Sequence, residues 1–149
     1  STAMKPEIVV WHENAFTMTD ALGLCSRATL STYAILPEDM AAMYETATGI
    51  PMTTEELTEA SRRIVLLERF FNMREGVRRE ADTLPWRLMQ EPLERPHNQG
   101  TSMNSKEEMD GMLDRYYELR GWDKNGLPTR ETVEHYGLED IINEEDFYK

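Results

Sequence analysis

Cysteine is nearly absent from this sequence. Cys25 stands alone among 149 residues, which excludes an intrachain disulfide and any metal centre built wholly from this chain's thiolates. A chain without disulfides fits a reducing compartment, and the cytoplasm is the expected location. Long apolar runs are missing as well. No stretch approaches the roughly 18 residues of a membrane span, and Ile8-Val9-Val10-Trp11, followed at once by His12 and Glu13, is too short for a secretory signal core. Basic charge is scarce: 16 Lys and Arg against 28 Asp and Glu leave a net charge of −12. Such a surface repels phosphate backbones and argues against a nucleic-acid partner.

What is present fits one small soluble domain. The 40% apolar content is enough for one core at this length. Ser1-Thr2-Ala3 ahead of Met4 reads as a remnant of recombinant expression, and residues 4–149 read as one domain without internal repeats. The Ala, Met, Leu and Glu content and a period near 3.6 predict an all-α fold, an irregular multi-helix domain. Residues 7–11 read as a short extended segment, and a helix opens near Thr17 or Thr19 and ends by Gly23. Leu36-Pro37-Glu38-Asp39 opens another, stopped by Gly49 and Pro51.

The clearest helix covers 54–75. Thr53 and Glu56 have capping-box spacing, and Gly76 is the natural terminator. Its apolar stripe is Leu57, Ala60, Ile64, Leu67 and Phe71, widened by Val65, Leu66 and Phe70, a breadth that calls for contacts on several sides. Residues 91–104 read as an exposed loop. Ser105 and Glu108 form a second capping box, opening a helix with Met109, Met112, Leu113, Tyr116 and Leu119 on one side, closed by Gly121. Thr129 caps a short helix to Tyr136, Gly137 breaks it, and a last helical segment surrounds Ile141-Ile142.

Most charged and sulfur-bearing residues invite ordinary readings. The acidic run Glu134 to Asp146 is a solvated face; the ten methionines are core filler; Trp122 packs; His12, His97 and His135 share no ligand spacing. The basic block Arg62, Arg63, Arg69, Arg74, Arg78, Arg79 and Arg87 has acids within reach, so ion pairing between elements is the first reading. A sharper one has Arg74 or Arg78 facing a phosphate-bearing cofactor.

Asp20-Ala21-Leu22-Gly23-Leu24-Cys25 stands apart. A carboxylate can accept paired hydrogen bonds from an amino-heterocycle such as a pterin, glycine admits close backbone approach, and a thiolate is the usual iron ligand of a cluster. Alternatively Asp20 caps a turn, Gly23 ends a helix and Cys25 packs as a small hydrophobe.

This segment resembles the Asp-x-x-Gly-Leu-Cys motif of the tungsten-containing aldehyde:ferredoxin oxidoreductases. The similarity continues through Ala47-Thr48-Gly49, Arg63, Leu67-Glu68-Arg69, Phe71-Asn72 and Arg74-Glu75-Gly76. Arg78, Asp82, Leu84-Pro85 and Arg87 follow, then Tyr116-Tyr117, Arg120-Gly121-Trp122-Asp123, Gly126 and Pro128-Thr129.

The resemblance implies the C-terminal domain type of that family. It assigns Asp20 to a pterin ligand of the metal, Gly23 and Leu24 to shaping the loop, and Cys25 to one iron of a 4Fe-4S cluster. The whole enzyme would oxidise aldehydes to carboxylic acids at a tungsten, or molybdenum, bis-pterin centre and pass electrons to ferredoxin. The family's Cys-x-x-Cys-x-x-x-Cys run is not in this sequence. The isolated chain is therefore expected to be inactive, to bind neither cluster nor tungsten, and to depend on N-terminal cofactor domains as partners. Alternatives are a fragment of a related aromatic acyl-CoA reductase, or a non-catalytic helical interaction domain or docking subunit in which Cys25 is ordinary core. A partner face left open should appear as an apolar patch or as disorder around Asp20 to Ser31.

Overall fold

The computed structural model describes residues 4–91, 93–94, 101–102 and 105–142. Among the described residues, six α-helices run in order: α1 Lys5–Ala21, α2 Pro37–Thr48, α3 Thr54–Arg74, α4 Trp86–Gln90, α5 Lys106–Arg120 and α6 Arg130–His135. A π-helical turn, Arg27–Ser31, joins α1 to the approach of α2, and a single 3-10 turn, Arg79–Ala81, follows α3. The fold is helical, as the composition requires.

The N-terminus departs from the sequence expectation. Residues 7–11 are not extended: they belong to α1, which has a proline in its first turn and Glu7 behind it. Ile8, Val9 and Val10 favour strand locally, but Pro6, Val10, Asn14 and Met18 are buried and recur at helical spacing. Packing overrides propensity here. Thr17 and Thr19 do not open a helix either. Their hydroxyls donate back to the carbonyls of Glu13 (2.8 Å) and Ala15 (2.7 Å), four residues earlier in the same helix.

Elsewhere the local signals hold. Thr53 and Glu56 close a capping box on α3, Ser105 and Glu108 do so on α5, and the Thr129 hydroxyl accepts from the Thr132 amide. Gly49 and Gly121 end α2 and α5 in the left-handed region. At the expected last helical segment, the described residues form a turn in which Ile141 and Ile142 donate to the Leu138 carbonyl, both at 3.0 Å. Within 91–104, Leu93–Glu94 (β1) pairs antiparallel with Thr101–Ser102 (β2). His97 and the end of the acidic run, residues 143–146, lie outside the described residues.

The core is built on α3, which packs against α1, α2 and the segment after α5. Leu66 and Phe70 meet Val133, Leu138 and Ile142. Leu57 joins Met18, Met40 and Ala41. Val65 joins Tyr117 and Trp122. The face of α3 that is buried is Leu57, Ser61, Val65, Leu66, Arg69, Phe70 and Met73. The stripe read from the sequence is displaced from it: Ala60 is exposed, Ile64 and Leu67 are half-buried, and Phe71 is 57% exposed. Helix α3 has apolar groups on two faces, and the described chain covers one.

The arginine block serves this core. Arg69, buried at the centre, donates through Nε to the Gly126 carbonyl (2.9 Å), pairs with Asp82 and lies over the Trp122 ring at 4.9 Å. Asp82 also accepts from the Tyr117 hydroxyl at 2.5 Å. Arg79 pairs with Asp114 at 2.7 Å, and Arg78 donates to the carbonyls of Met73 and Val77. Glu75 and Arg79, four apart, do not pair through the helix, which ends at Arg74. On the far side of α5, buried Arg120 ties that helix to α1 through Glu13 (2.6 Å) and Asn14 (2.8 Å).

Candidate functional site

The six residues from Asp20 to Cys25 form the end of α1 and the turn that leaves it. Gly23 has φ +67°, its amide donates to the Asp20 carbonyl at 3.1 Å, and the Leu24 amide reaches the Thr19 carbonyl at 2.8 Å. These two bonds satisfy helix-end carbonyls in a Schellman arrangement. A Cβ at Gly23 would meet nothing within 4 Å, so glycine is set here by its backbone angle rather than by crowding within the chain. Leu22 and Leu24 turn inward against the cluster containing Met18, Met40 and Leu57, which anchors the turn to the core.

The two residues with chemistry stay outside. Asp20 and Cys25 are both exposed, on either side of the anchored turn. The reading in which Cys25 packs as a small hydrophobe therefore fails, while the helix-ending role of Gly23 holds. Cys25 nevertheless sits in ordered backbone: its carbonyl accepts from the amides of Ala28 (3.0 Å) and Thr29 (3.3 Å). Behind it the Thr19 hydroxyl reaches the Thr29 hydroxyl at 3.0 Å in the interior. An exposed thiol on a fixed turn can serve as one ligand. Among the described residues, no three His, Cys, Asp or Glu side chains converge as a metal site, so further donors to iron would have to come from elsewhere.

Asp20 also lines a shallow surface depression of about 380 Å³ with Phe16, Thr17, Ile64 and Glu68. A larger cavity of about 530 Å³ opens between α1, α3 and α5, with Val9, Met109, Met112, Leu113 and Trp122 among its walls. Glu13, Val65 and Glu68 border both. The two are parts of one groove along the seam of α1 and α3.

The family described as aldehyde ferredoxin oxidoreductase, domains 2 and 3, matches residues 1–138. The chain belongs to this family. Among its relatives, the tungsten-containing aldehyde ferredoxin oxidoreductase of Pyrococcus abyssi is 34% identical over 139 residues, 93% of this chain and 22% of the relative. That of Thermococcus kodakarensis is 32% identical over the same shares. A solved structure, the active site complex BamBC of benzoyl coenzyme A reductase in complex with 1,5 Dienoyl-CoA, is similar with a TM-score of 0.76 and 32% identity. That match covers 95% of this chain and 20% of the other. The chain thus spans about a fifth of the length of these relatives. As an aldehyde ferredoxin oxidoreductase family member it aligns with a C-terminal domain, and the helical fold agrees.

Sequence reasoning found the turn but missed two things. It did not see that Asp82, Arg69 and Tyr117, read as parts of separate blocks, meet in one buried cluster. It also missed Glu13, whose carboxylate accepts from Arg120 and from the Tyr116 hydroxyl (2.8 Å) while bordering the groove. No spacing rule links residues more than a hundred positions apart. Arg74, one of the two arginines considered for cofactor contact, is exposed beside Glu75 and stacked over Phe71, whereas Arg78 is occupied by backbone carbonyls.

Proposed function

We propose that this chain is the C-terminal portion of a tungstopterin and 4Fe-4S oxidoreductase that converts aldehydes to carboxylic acids with ferredoxin as acceptor. In this reading Cys25 supplies one cluster thiolate, Asp20 accepts hydrogen bonds from a pterin, and Gly23 and Leu24 hold the turn between them. The observation that carries it is the exposure of both Asp20 and Cys25 on a turn anchored by two half-buried leucines packed against the core.

When bound, the metal–pterin centre supplies the electron exchange with substrate and the cluster relays the electrons. The contribution of this chain is positional. The hydrogen bonds of the Gly23 turn fix the spacing from Asp20 to Cys25, and α1, packed on α3 and α5, keeps both on one rigid support. An exposed carboxylate needs no internal partner and is free to accept from a ligand.

The test is Cys25→Ala in the full-length protein, read by iron content and by electron paramagnetic resonance of the reduced enzyme. Loss of the 4Fe-4S signal is the expected result; an unchanged signal and iron content would refute the assignment. Asp20→Ala should lower pterin retention while leaving the iron signal in place. The likeness to a benzoyl coenzyme A reductase complex supports a second reading, reduction of an aromatic acyl-CoA. Activity of the full-length protein on aldehydes or on aromatic acyl-CoA esters decides between them.

A further inference from the structure

The groove beside Asp20 carries an inference that rests on the reading of the chain as part of a larger protein. Two walls face each other along the α1–α3 seam. Val9, Glu13, Phe16 and Asp20 recur along α1, and Ile64, Glu68 and Asn72 along α3. At one end the groove widens into the larger space walled by Met109, Met112, Leu113 and Trp122. Phe16 on its α1 wall is 49% exposed, and beside it Leu67 and Phe71 of the α3 stripe line a neighbouring depression that shares Glu68 and Asn72, with Phe71 57% exposed. Apolar side chains at helical spacing on an open face mark a contact surface.

Charge says what fits there. Glu68 borders all three depressions of this face and has no ion pair among the described residues. Asp20 at the far end is likewise unpaired, while Glu13 is held by Arg120. Lys5 lies at the opposite end, and Arg74 over Phe71 is next to Glu75. An unpaired carboxylate in the middle of an apolar strip disfavours a purely apolar cover, which would bury it without a partner. The relatives have about four-fifths of their length outside the segment matched here, so there is chain to fill the space.

We propose that this groove seats an apolar segment of the remaining, larger part of the protein. One hydrophobic side chain of that segment enters the Met109–Met112–Leu113 cavity, and a Lys or Arg meets Glu68. The seat lies on the same face as Asp20 and fixes that residue relative to whatever the larger part carries.

The experiment uses cysteine labelling in the full-length protein and in this 149-residue chain, read site by site by peptide mass spectrometry because Cys25 is itself an exposed thiol, with circular dichroism confirming the helical fold of each variant. Asn72→Cys reports the groove and Glu45→Cys on α2 serves as an exposed reference. Maleimide modification at position 72 is expected to be at least about tenfold slower in the full-length protein than in the short chain, with position 45 unchanged. Adding Glu68→Lys should raise labelling at 72 in the full-length protein by about fivefold or more beyond its effect on the same position in the short chain, where a lysine one turn away acts on the thiol alone, and Glu68→Gln by less, because like charges then face each other. Equal rates at 72 in the two proteins overturn the seat. Protection that is indifferent to Glu68→Lys overturns the cationic occupant. Neither readout involves iron, so failure here is distinguishable from failure of the Cys25 assignment, which the cluster signal reports.

Discussion

Replacing Asp82 with alanine removes the carboxylate on which two hydrogen bonds and a close ion-pair contact converge. Oδ1 accepts from Arg69 Nη1 at 3.1 Å, and Oδ2 lies 2.8 Å from Nη2 and takes the Tyr117 hydroxyl at 2.5 Å. The Arg69 side chain is only 7% exposed, so its charge would be stranded where water hardly reaches. Breaking a buried pair from one side costs about 3–5 kcal/mol. Asp82 itself is 23% exposed, and the guanidinium keeps the Gly126 carbonyl and the face of Trp122, which favours the lower end. The orphaned Tyr117 hydroxyl adds about 1 kcal/mol. We therefore expect Asp82→Ala to cost about 3–4 kcal/mol, a large share of the 5–15 kcal/mol typical of a domain. Asp82→Asn, which keeps an acceptor, should cost about 1–2 kcal/mol. The assay is urea unfolding followed by far-ultraviolet circular dichroism, with an unchanged slope required. Arg69→Met placed on the Asp82→Ala background should recover part of the loss, since no buried charge then lacks a partner. A loss below about 1 kcal/mol for Asp82→Ala, or no coupling in the double variant, would refute the reasoning.

Cys25→Ala should change the stability of the 149-residue chain by less than about 0.5 kcal/mol, because the thiol is exposed; a loss above about 2 kcal/mol in urea would place it in the core. Gly23→Ala should cost about 1–2 kcal/mol for its left-handed backbone alone. Gly121→Ala should cost more, since a Cβ there also collides with the Thr132 side chain, and thermal unfolding of the two variants gives the order. Burial pushes the Tyr116 and Tyr117 hydroxyls above the ordinary tyrosine value of 10.0, with Glu13 and Asp82 respectively adding to the shift. Folding thus favours their neutral form, so that stability is fully present below pH 10 and falls as pH rises past it, where the unfolded chain releases these protons first. Tyr117→Phe should flatten that alkaline slope in urea unfolding across pH.

Much of the helical plan was legible because its signals are local. Thr53 with Glu56, Ser105 with Glu108, Pro37 with Glu38 and Asp39, and the glycines at 49, 76 and 121 act within one turn, and each did what its chemistry dictates. The first helix was misread because three β-branched residues outweighed Pro6 and Glu7, the same opening signal that was read correctly at Pro37. The candidate turn was visible through Asp20, Gly23 and Cys25. Whether Cys25 faced inward or outward was not, since that depends on Leu22 and Leu24 filling the core in its place.

By itself the sequence determined helix type, most helix ends and the family resemblance, since caps, glycine breaks and motif spacing are properties of neighbouring residues. Only the tertiary structure decided which face of α3 is buried. Periodicity shows that two faces are apolar, but burial goes to the one that α1, α5 and the C-terminal turn cover together. The convergence of Arg69, Asp82, Tyr117 and Gly126, and the open groove leading to Asp20, follow from that same choice, because each joins residues distant in the chain.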